Sequence, residues 1–310
     1  MLSRILVPLD GSPLAEAVMP QVAELAAVRK AEVVLLRVAL AHAFPGADPV
    51  EAQVRAVEEA ESYLGKLESD LVAQGLTVKS VVRYGHAAEE ILDHARVGGV
   101  TLIAMSTHGR SGIRRWVLGS VAETVVRHSP VPVLLLRATG PFAASVGAAE
   151  PARVPTAQTP APSVRIRRIL CPVDLTPECR DIMATAGAIA DRFGADLTIL
   201  HVVYDPLDVT GSHIPHPPLE QLREEMIRSA EDTLRRHIRR ALASVPRASM
   251  VVVAGTPFRQ IVRFAQTHQV DLIVMGTAGR TGLDHVIMGS TAERVVRTAP
   301  CPVFSIRAAA

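Results

Sequence analysis

The sequence predicts an α/β protein in which two similar domains follow one another, each built on a parallel sheet with helices on both faces. Two observations support this prediction. The segment Met105–Val126 matches Met275–Val296 without a gap when 170 is added to its residue numbers. In both halves, short apolar segments with almost no polar alternation are separated by helical segments, which is typical of parallel strands buried on both faces.

The internal repeat extends well beyond those two segments. Residues 81–137 align with residues 251–307, and roughly two positions in five are identical. The starts agree as well, since Arg4–Asp10 (RILVPLD) resembles Arg168–Asp174 (RILCPVD). A repeat of this length suits two whole domains rather than a solenoid.

The extent of the repeat predicts the domain bounds. We expect the first domain over residues 1–137 and the second over residues 165–310. Residues 138–164 are rich in Ala, Pro, Thr and Ser and show no apolar period, so we expect a flexible linker there.

Each domain is predicted to alternate strands with helices. Apolar runs such as RILVPLD are short enough to be buried strands, TVKSVVRYG alternates as a strand does, and residues 49–74 have the period of an amphipathic helix. In the first domain the predicted strands are RILVPLD, AEVVLLRVA, TVKSVVRYG, VTLIAMS and VPVLLLR, with helices over 13–29, 49–74, 87–97 and 120–128. In the second domain the strands are RRILCPVD, ADLTILHVV, SMVVVAG, VDLIVMG and CPVFSIR.

Composition argues against several classes of protein. The formal net charge is +2 without a basic block, and aromatic residues make up 3%, so we expect no nucleic-acid partner. No apolar run is long enough to span a membrane, and polar residues follow the start too soon for a signal peptide, which predicts a cytoplasmic protein. The three cysteines form no C-x-x-C motif, so we expect them to be reduced.

The loop after the fourth strand is the strongest functional signal. In the second half it reads MGTAGRTGLDHVIMGSTAERVV, with a glycine spacing that is neither the dinucleotide fingerprint nor the P-loop. Ligands of parallel sheets bind at the carboxyl ends of the strands, where the strand order reverses. Gly276 and Gly279 are expected to allow positive φ and close approach of backbone to a ligand. Gly289 and Ser290 open a helix, where free N–H groups favour an anion.

A simpler interpretation is that these glycines only form turns and that Ser290 only caps a helix. The first half repeats the pattern in MSTHGRSGIRRWVLGSVAETVV, again with Gly-Ser at a helix start. Two copies in one register favour a phosphate site over turns alone.

On these residues, the chain resembles a tandem member of the universal stress protein family. The nucleotide-binding pattern of that family is G-x-x-G, nine residues, then Gly followed by Ser or Thr, with an Asp at the end of strand one. The second half matches it at Gly276, Gly279, Gly289, Ser290 and Asp174. The first half matches it at Gly109, Gly119, Ser120 and Asp10, and has Ser106 where the first Gly is expected.

The resemblance implies two tandem Rossmann-like five-stranded parallel sheets in the order 3-2-1-4-5, each binding ATP. The carboxylate after strand one would lie at the adenine, and the glycine loop at the ribose and phosphates. Asp10 and Asp174 would accept a hydrogen bond from the adenine amino group, with capping of the next helix as the alternative. The other implied contacts with the nucleotide are those of Val38, Val202, Ser106, Arg110, Arg280 and Thr291.

Four of those contacts have a plainer alternative. Val38 and Val202 would line the adenine through backbone groups, although such valines are also typical of a core. Arg110 and Arg280 recur in the two loops and could contact phosphate or remain solvated. The side chain of Ser106 adds bulk where the family has Gly, but its hydroxyl can donate to a phosphate or ribose.

Catalysis is not indicated by the sequence. There is no Walker lysine and no cluster of carboxylates beyond one Asp in each domain, so we expect a nucleotide-dependent regulatory protein rather than an enzyme. The alternatives are a slow ATPase or adenylate-handling hydrolase, and an interaction module that has lost its nucleotide. We expect no protein-held metal, and Mg²⁺ held mainly by the nucleotide phosphates.

The fifth strands predict how the protein assembles. VPVLLLR and CPVFSIR are apolar, yet the strand order puts each at a sheet edge, where another strand can pair. We predict an intramolecular pseudo-dimer with Val131–Arg137 beside Val303–Arg307. The linker is long enough for exchange between chains, so a homodimer is the alternative. A regulatory protein partner is expected, but the sequence does not identify it.

Overall fold

A computed structural model describes residues 2–40, 48–107, 118–136, 166–205, 217–242, 247–277 and 288–307. The chain divides into two compact units, Met1–Val164 and Arg165–Ala310. Each unit is a parallel sheet with helices packed against it, which confirms the predicted α/β class and the tandem arrangement. Among the helices described, none is long and apolar enough to cross a membrane.

The first unit has five parallel strands in the order 3-2-1-4-5, as the family resemblance implied. The strands are β1 Arg4–Pro8, β2 Glu32–Val38, β3 Val78–Arg83, β4 Leu102–Ser106 and β5 Val133–Leu136. The helices are α1 Pro13–Glu16, α2 Met19–Arg29, α3 Pro49–Ala73, α4 Ala87–Val97 and α5 Ser120–His128. Most of the predicted elements are therefore present within one or two residues.

One predicted helix of the first unit is divided in two. The sequence predicted a single helix over residues 13–29, whereas α1 ends at Glu16 and α2 begins at Met19. Pro20 has no N–H to donate to the Glu16 carbonyl, so a continuous helix would lose a hydrogen bond at this point.

The second unit repeats the topology of the first. Its strands are β6 Arg168–Val173, β7 Asp196–Tyr204, β8 Ala248–Gly255, β9 Leu272–Gly276 and β10 Val303–Ile306. Its helices are α6 Cys179–Phe193, α7 Pro217–Ala241, α8 Pro257–Thr267 and α9 Ser290–Thr298. The strand order is β8-β7-β6-β9-β10, again with every neighbouring pair parallel.

The sheets are buried on both faces because their central strands are apolar throughout. Ile5, Leu6 and Leu35 of the first unit and Ile169 and Leu170 of the second are almost completely buried. Burial of one such side chain contributes about 1.5–3 kcal/mol to folding. Strands β1 and β4 lie side by side, as do β6 and β9, so the strand order reverses between them in each unit, and ligands of parallel sheets bind at such a point.

Candidate functional site

A cavity of about 300 Å³ lies in the second unit at the carboxyl ends of β6, β7 and β9. The N-terminal halves of α8 and α9 complete its wall through Pro257, Ile261 and Thr291. The predicted site residues that line the cavity are Asp174, Val202, Gly276, Gly289, Ser290 and Thr291. Predicted contacts Gly279 and Arg280 lie outside the described residues.

Several lining residues were not predicted from the sequence. His201 and Tyr204 of β7, Pro257 and Ile261 of α8 and Thr277 after β9 also line the cavity. His201 and Tyr204 lie on the same strand as Val202, so the end of β7 was the feature of the sequence that could have identified them. The residues of α8 gave no comparable signal, because their approach depends on how the helix packs over the sheet.

The two aspartates after the first strands occupy matching turns. The Asp174 Oδ1 accepts hydrogen bonds from the Thr176 N–H at 3.1 Å and the Thr176 hydroxyl at 2.8 Å. The Asp10 Oδ1 accepts from the Ser12 N–H at 2.9 Å and the Ser12 hydroxyl at 2.6 Å. Both carboxylates are therefore fixed at the point where the strand order reverses.

The helix cap in this region is Ser12, not Asp10. Ser12 is the N-cap of α1, and its hydroxyl oxygen accepts from the Ala15 N–H at 3.2 Å. The alternative that Asp10 itself caps the helix is therefore wrong, because Asp10 accepts hydrogen bonds from the cap residue Ser12 instead.

The first turn of α9 presents N–H groups to the cavity. Gly289 is the N-cap, and it has no side chain to satisfy them. Its own N–H donates to the Thr277 carbonyl at 2.8 Å, and its carbonyl accepts from the Glu293 N–H at 3.0 Å. The N–H groups of Ser290 and Thr291 come before that first helical hydrogen bond, so they are available to an anion in the cavity.

The first unit has the same backbone arrangement at α5. Gly119 is the N-cap without a side-chain cap, and its N–H donates to the Thr107 carbonyl at 2.9 Å. Ser120 is thus the first residue of α5, as Ser290 is of α9. The suggestion that these serines are only helix caps is wrong, because the cap is the preceding glycine in both units.

Neither Gly276 nor Gly119 has a positive φ. Gly276 is the last residue of β9 and pairs with Ile306. Its φ is not positive, so the prediction of a positive φ at this residue is wrong. Gly119 has a φ of −60°, which any residue adopts. A Cβ on Gly119 would lie 3.3 Å from the Thr107 carbonyl oxygen, closer than most real contacts.

Ser106 occupies the place of Gly276 in the first unit. It is the last residue of β4, pairs with Leu136 and is 6% exposed. The backbone is therefore the same strand end in both units, and the difference is one buried hydroxyl. Val38 is the last residue of β2, and Val202 lies near the end of β7. The predicted contacts Gly109 and Arg110 lie outside the described residues.

The two units also differ at the strand position next to the site aspartates. His201 of the second unit is buried, and its Nδ1 donates to the Val173 carbonyl at 2.7 Å. Arg37 takes this position in the first unit, and its guanidinium lies 4.9 Å from the centre of the Tyr63 ring. A Cβ on Gly11 would be 2.9 Å from the Arg37 Nη1, so the guanidinium packs against the turn after Asp10.

The cysteines of the second unit are buried thiols. Cys179 lies 3.6 Å from the His237 Nδ1, and burial, with the Asp174 charge second, raises the pKa of Cys179 to about 11. The thiol is therefore protonated near neutral pH. Across the described chain, no group of three or more His, Cys, Asp or Glu side chains is arranged to hold a metal ion.

Comparison with known proteins identifies the repeat. The model of the universal stress protein family matches residues 1–137 and 165–307. A universal stress protein of Methanocaldococcus jannaschii is 31% identical over 142 residues, which cover 46% of this chain and 82% of the relative. A universal stress protein of Mycolicibacterium smegmatis is 24% identical over 313 residues, covering 98% of this chain and 96% of the relative.

A solved structure has the same fold over the whole chain. It is a universal stress protein from Archaeoglobus fulgidus, with a TM-score of 0.70, 22% identity and full coverage of both chains. At this identity the likeness concerns the fold.

Proposed function

Because the chain belongs to the universal stress protein family, we propose that it is a stress-response regulatory protein that binds ATP in the cavity of the second unit. The observation that carries the proposal is the cavity itself, which is lined both by the Asp174 carboxylate and by the start of α9. A nucleotide needs both kinds of group, one for the base and one for the phosphates.

The chemistry of the lining supports an adenine nucleotide. Asp174 is held by Thr176 through one oxygen, and its carboxylate can accept a hydrogen bond from an exocyclic amino group. Val202, Pro257 and Ile261 offer an apolar surface for a planar base. Ser290 and Thr291 offer hydroxyls and N–H groups for phosphates at a helix N-terminus.

We propose a regulatory role rather than a dedicated catalytic one. Asp174 is the only carboxylate among the described residues that line the cavity, and no Lys or Arg of the described chain does so. Phosphoryl transfer requires metal ligands and positive groups that stabilise the developing charge. Mg²⁺ would therefore arrive with the nucleotide and be held mainly by its phosphates.

The first unit is proposed as a second, weaker nucleotide site. Asp10 and Ser120 keep the positions of Asp174 and Ser290, whereas Ser106 replaces a glycine. We further propose that the protein acts in the cytoplasm through a regulatory protein partner. Pairing through the fifth strands, within one chain or in a homodimer, stays a prediction.

Calorimetric titration with ATP and Mg²⁺ tests the proposal on nucleotide-free protein. We expect micromolar affinity, about −8 kcal/mol. Gly289→Val and Gly119→Val should each remove one site, since a side chain branched at Cβ would stand where the backbone must approach the phosphates. Gly65→Val is the matched control, because a Cβ on this helical glycine meets no atom within 4 Å. Undiminished stoichiometry in the double variant would overturn the phosphate assignment.

A hydrolysis assay on the same variants separates regulation from catalysis. We expect negligible turnover of ATP by the wild-type protein. Turnover well above background that disappears with Gly289→Val would favour the slow ATPase instead.

A further inference from the structure

Two equivalent helices of the two units carry opposite charges on their exposed faces. Glu89 and Asp93 lie one turn apart on α4 and are exposed. Adding 170 to their numbers gives Arg259 and Arg263 on α8, which are exposed as well. We call the first pair the acidic stripe and the second pair the basic stripe.

Both stripes differ from the salt-bridged pairs of other helices, although α7 also carries like charges four residues apart, at Glu220/Glu224, Arg235/Arg239 and Arg236/Arg240. Residues four apart on the other helices of the chain are repeatedly of opposite charge and form salt bridges. These pairs are Glu51–Arg55, Glu123–Arg127, Glu224–Arg228, Glu231–Arg235 and Glu293–Arg297. Like charges four apart destabilise an isolated helix, so each stripe weakens its own helix unless an external charge compensates it.

Compensation among the described residues is slight. Arg96 forms a salt bridge with the Asp93 carboxylate at 2.5 Å, and both side chains of that pair are more than half exposed. The helix of the basic stripe contains no acidic residue. Within the described part of the chain, neither Arg259 nor Arg263 forms a salt bridge. Arg259 is 5.9 Å from the Phe258 ring, which leaves its charge exposed.

We propose that the protein self-associates through α4 of one copy and α8 of a second copy, with the acidic stripe facing the basic stripe. The spacing supports this partner, because both stripes repeat every four residues and two parallel or antiparallel helices would bring both charge pairs together. Arginine guanidinium groups match carboxylates in a planar, two-bond geometry. A second copy of the chain carries the required complement at the required spacing.

The contact is weak and depends on salt. Pairs of exposed charges contribute little individually and are screened at physiological ionic strength. Each chain carries one stripe of each sign, so the contact either closes into a two-fold dimer that uses both or continues from chain to chain. In either case the average mass rises with protein concentration and falls with added salt.

Charge reversal tests the proposal on the full chain. The first variant is Glu89→Arg with Asp93→Arg, and the second is Arg259→Glu with Arg263→Glu. Sedimentation velocity is measured at high protein concentration, with sodium chloride at about 0.05 M and about 0.5 M. We expect the wild type to associate at low salt, each variant alone to weaken association at least tenfold, and an equimolar mixture of the two variants to recover it.

Matched variants control for net charge. The control for the first variant is Glu58→Arg with Glu61→Arg, which changes the net charge by the same amount but lies on α3. The control for the second variant is Arg239→Glu with Arg240→Glu, which lies on α7. Both controls should associate as the wild type does, and circular dichroism checks that every variant is folded. The proposal fails if the wild type is monomeric at low salt. It also fails if the controls lose association equally, or if the mixture does not recover it.

Discussion

Replacing Gly289 by aspartate tests whether an anion binds at the start of α9. Gly289 has φ −61° and ψ 142°, an extended conformation that aspartate and asparagine both adopt. The two side chains are nearly identical in size and are equally good N-caps. Any crowding of the kind seen at Gly119, where a Cβ would meet the Thr107 carbonyl, is shared by both variants. The difference between them is therefore one negative charge.

The expected difference follows from Coulomb's law. A carboxylate at the N-cap would lie roughly 4 Å from a phosphate bound to the first turn, where two unit charges repel by about 1 kcal/mol in water and about 4 kcal/mol at an effective dielectric constant near 20. Since about 1.4 kcal/mol is a tenfold change in affinity, Gly289→Asp should bind ATP about 5-fold to 1,000-fold more weakly than Gly289→Asn.

Calorimetry on chains that also carry Gly119→Val measures this difference at the second site alone. Adenosine is the control ligand, because it lacks phosphates and should bind both variants equally. Urea unfolding should show equal free energies of unfolding for the two variants within about 0.5 kcal/mol, since their caps are equivalent. If the two variants bind ATP within twofold of each other, the phosphates do not lie at the start of α9.

The remaining predictions concern the two units and their stability. Because Ser106 adds bulk where the second unit has Gly276, we expect the second site to bind ATP more tightly, and titration of each half expressed separately checks this; a first half that binds tenfold more tightly would reverse the ranking. Replacing Leu134 and Phe304 by Lys should raise the radius of gyration in solution scattering if the fifth strands pair within the chain, and an unchanged radius counts against that pairing. Burial and then neighbouring cations lower the pKa of His94 below 6.5. The unfolded chain therefore takes up this proton at higher pH than the folded chain, so stability is lost as pH falls from about 6.5 through the lower folded pKa. His94→Gln should flatten the fall in the urea midpoint between pH 7.5 and pH 5, and an unaltered pH profile would show that His94 does not contribute.

The candidate site was partly readable from the sequence because its residues lie at strand ends and at a helix start. Asp174, Gly276 and Ser290 each sit at a boundary that hydrophobic periodicity and glycine position mark locally. Pro257 and Ile261 were not predicted, because their approach to the cavity depends on how α8 packs over the sheet. Positive φ was wrongly expected at Gly276, since the end of the apolar run did not reveal that this residue still pairs with Ile306.

The sequence by itself determined the duplication, the alternation of strands and helices and the position of the glycine-serine steps, because these depend on residue types close together in the chain. Only the tertiary structure decided which groups meet. In the first unit Ser12 caps α1, and its hydroxyl donates to the Asp10 carboxylate. The His201 ring donates to the Val173 carbonyl in the second unit. At the equivalent position of the first unit, Arg37 packs against Gly11 and Tyr63. Such contacts join residues on separate elements, and they depend on side-chain volume and on the distance between elements, which no local pattern encodes.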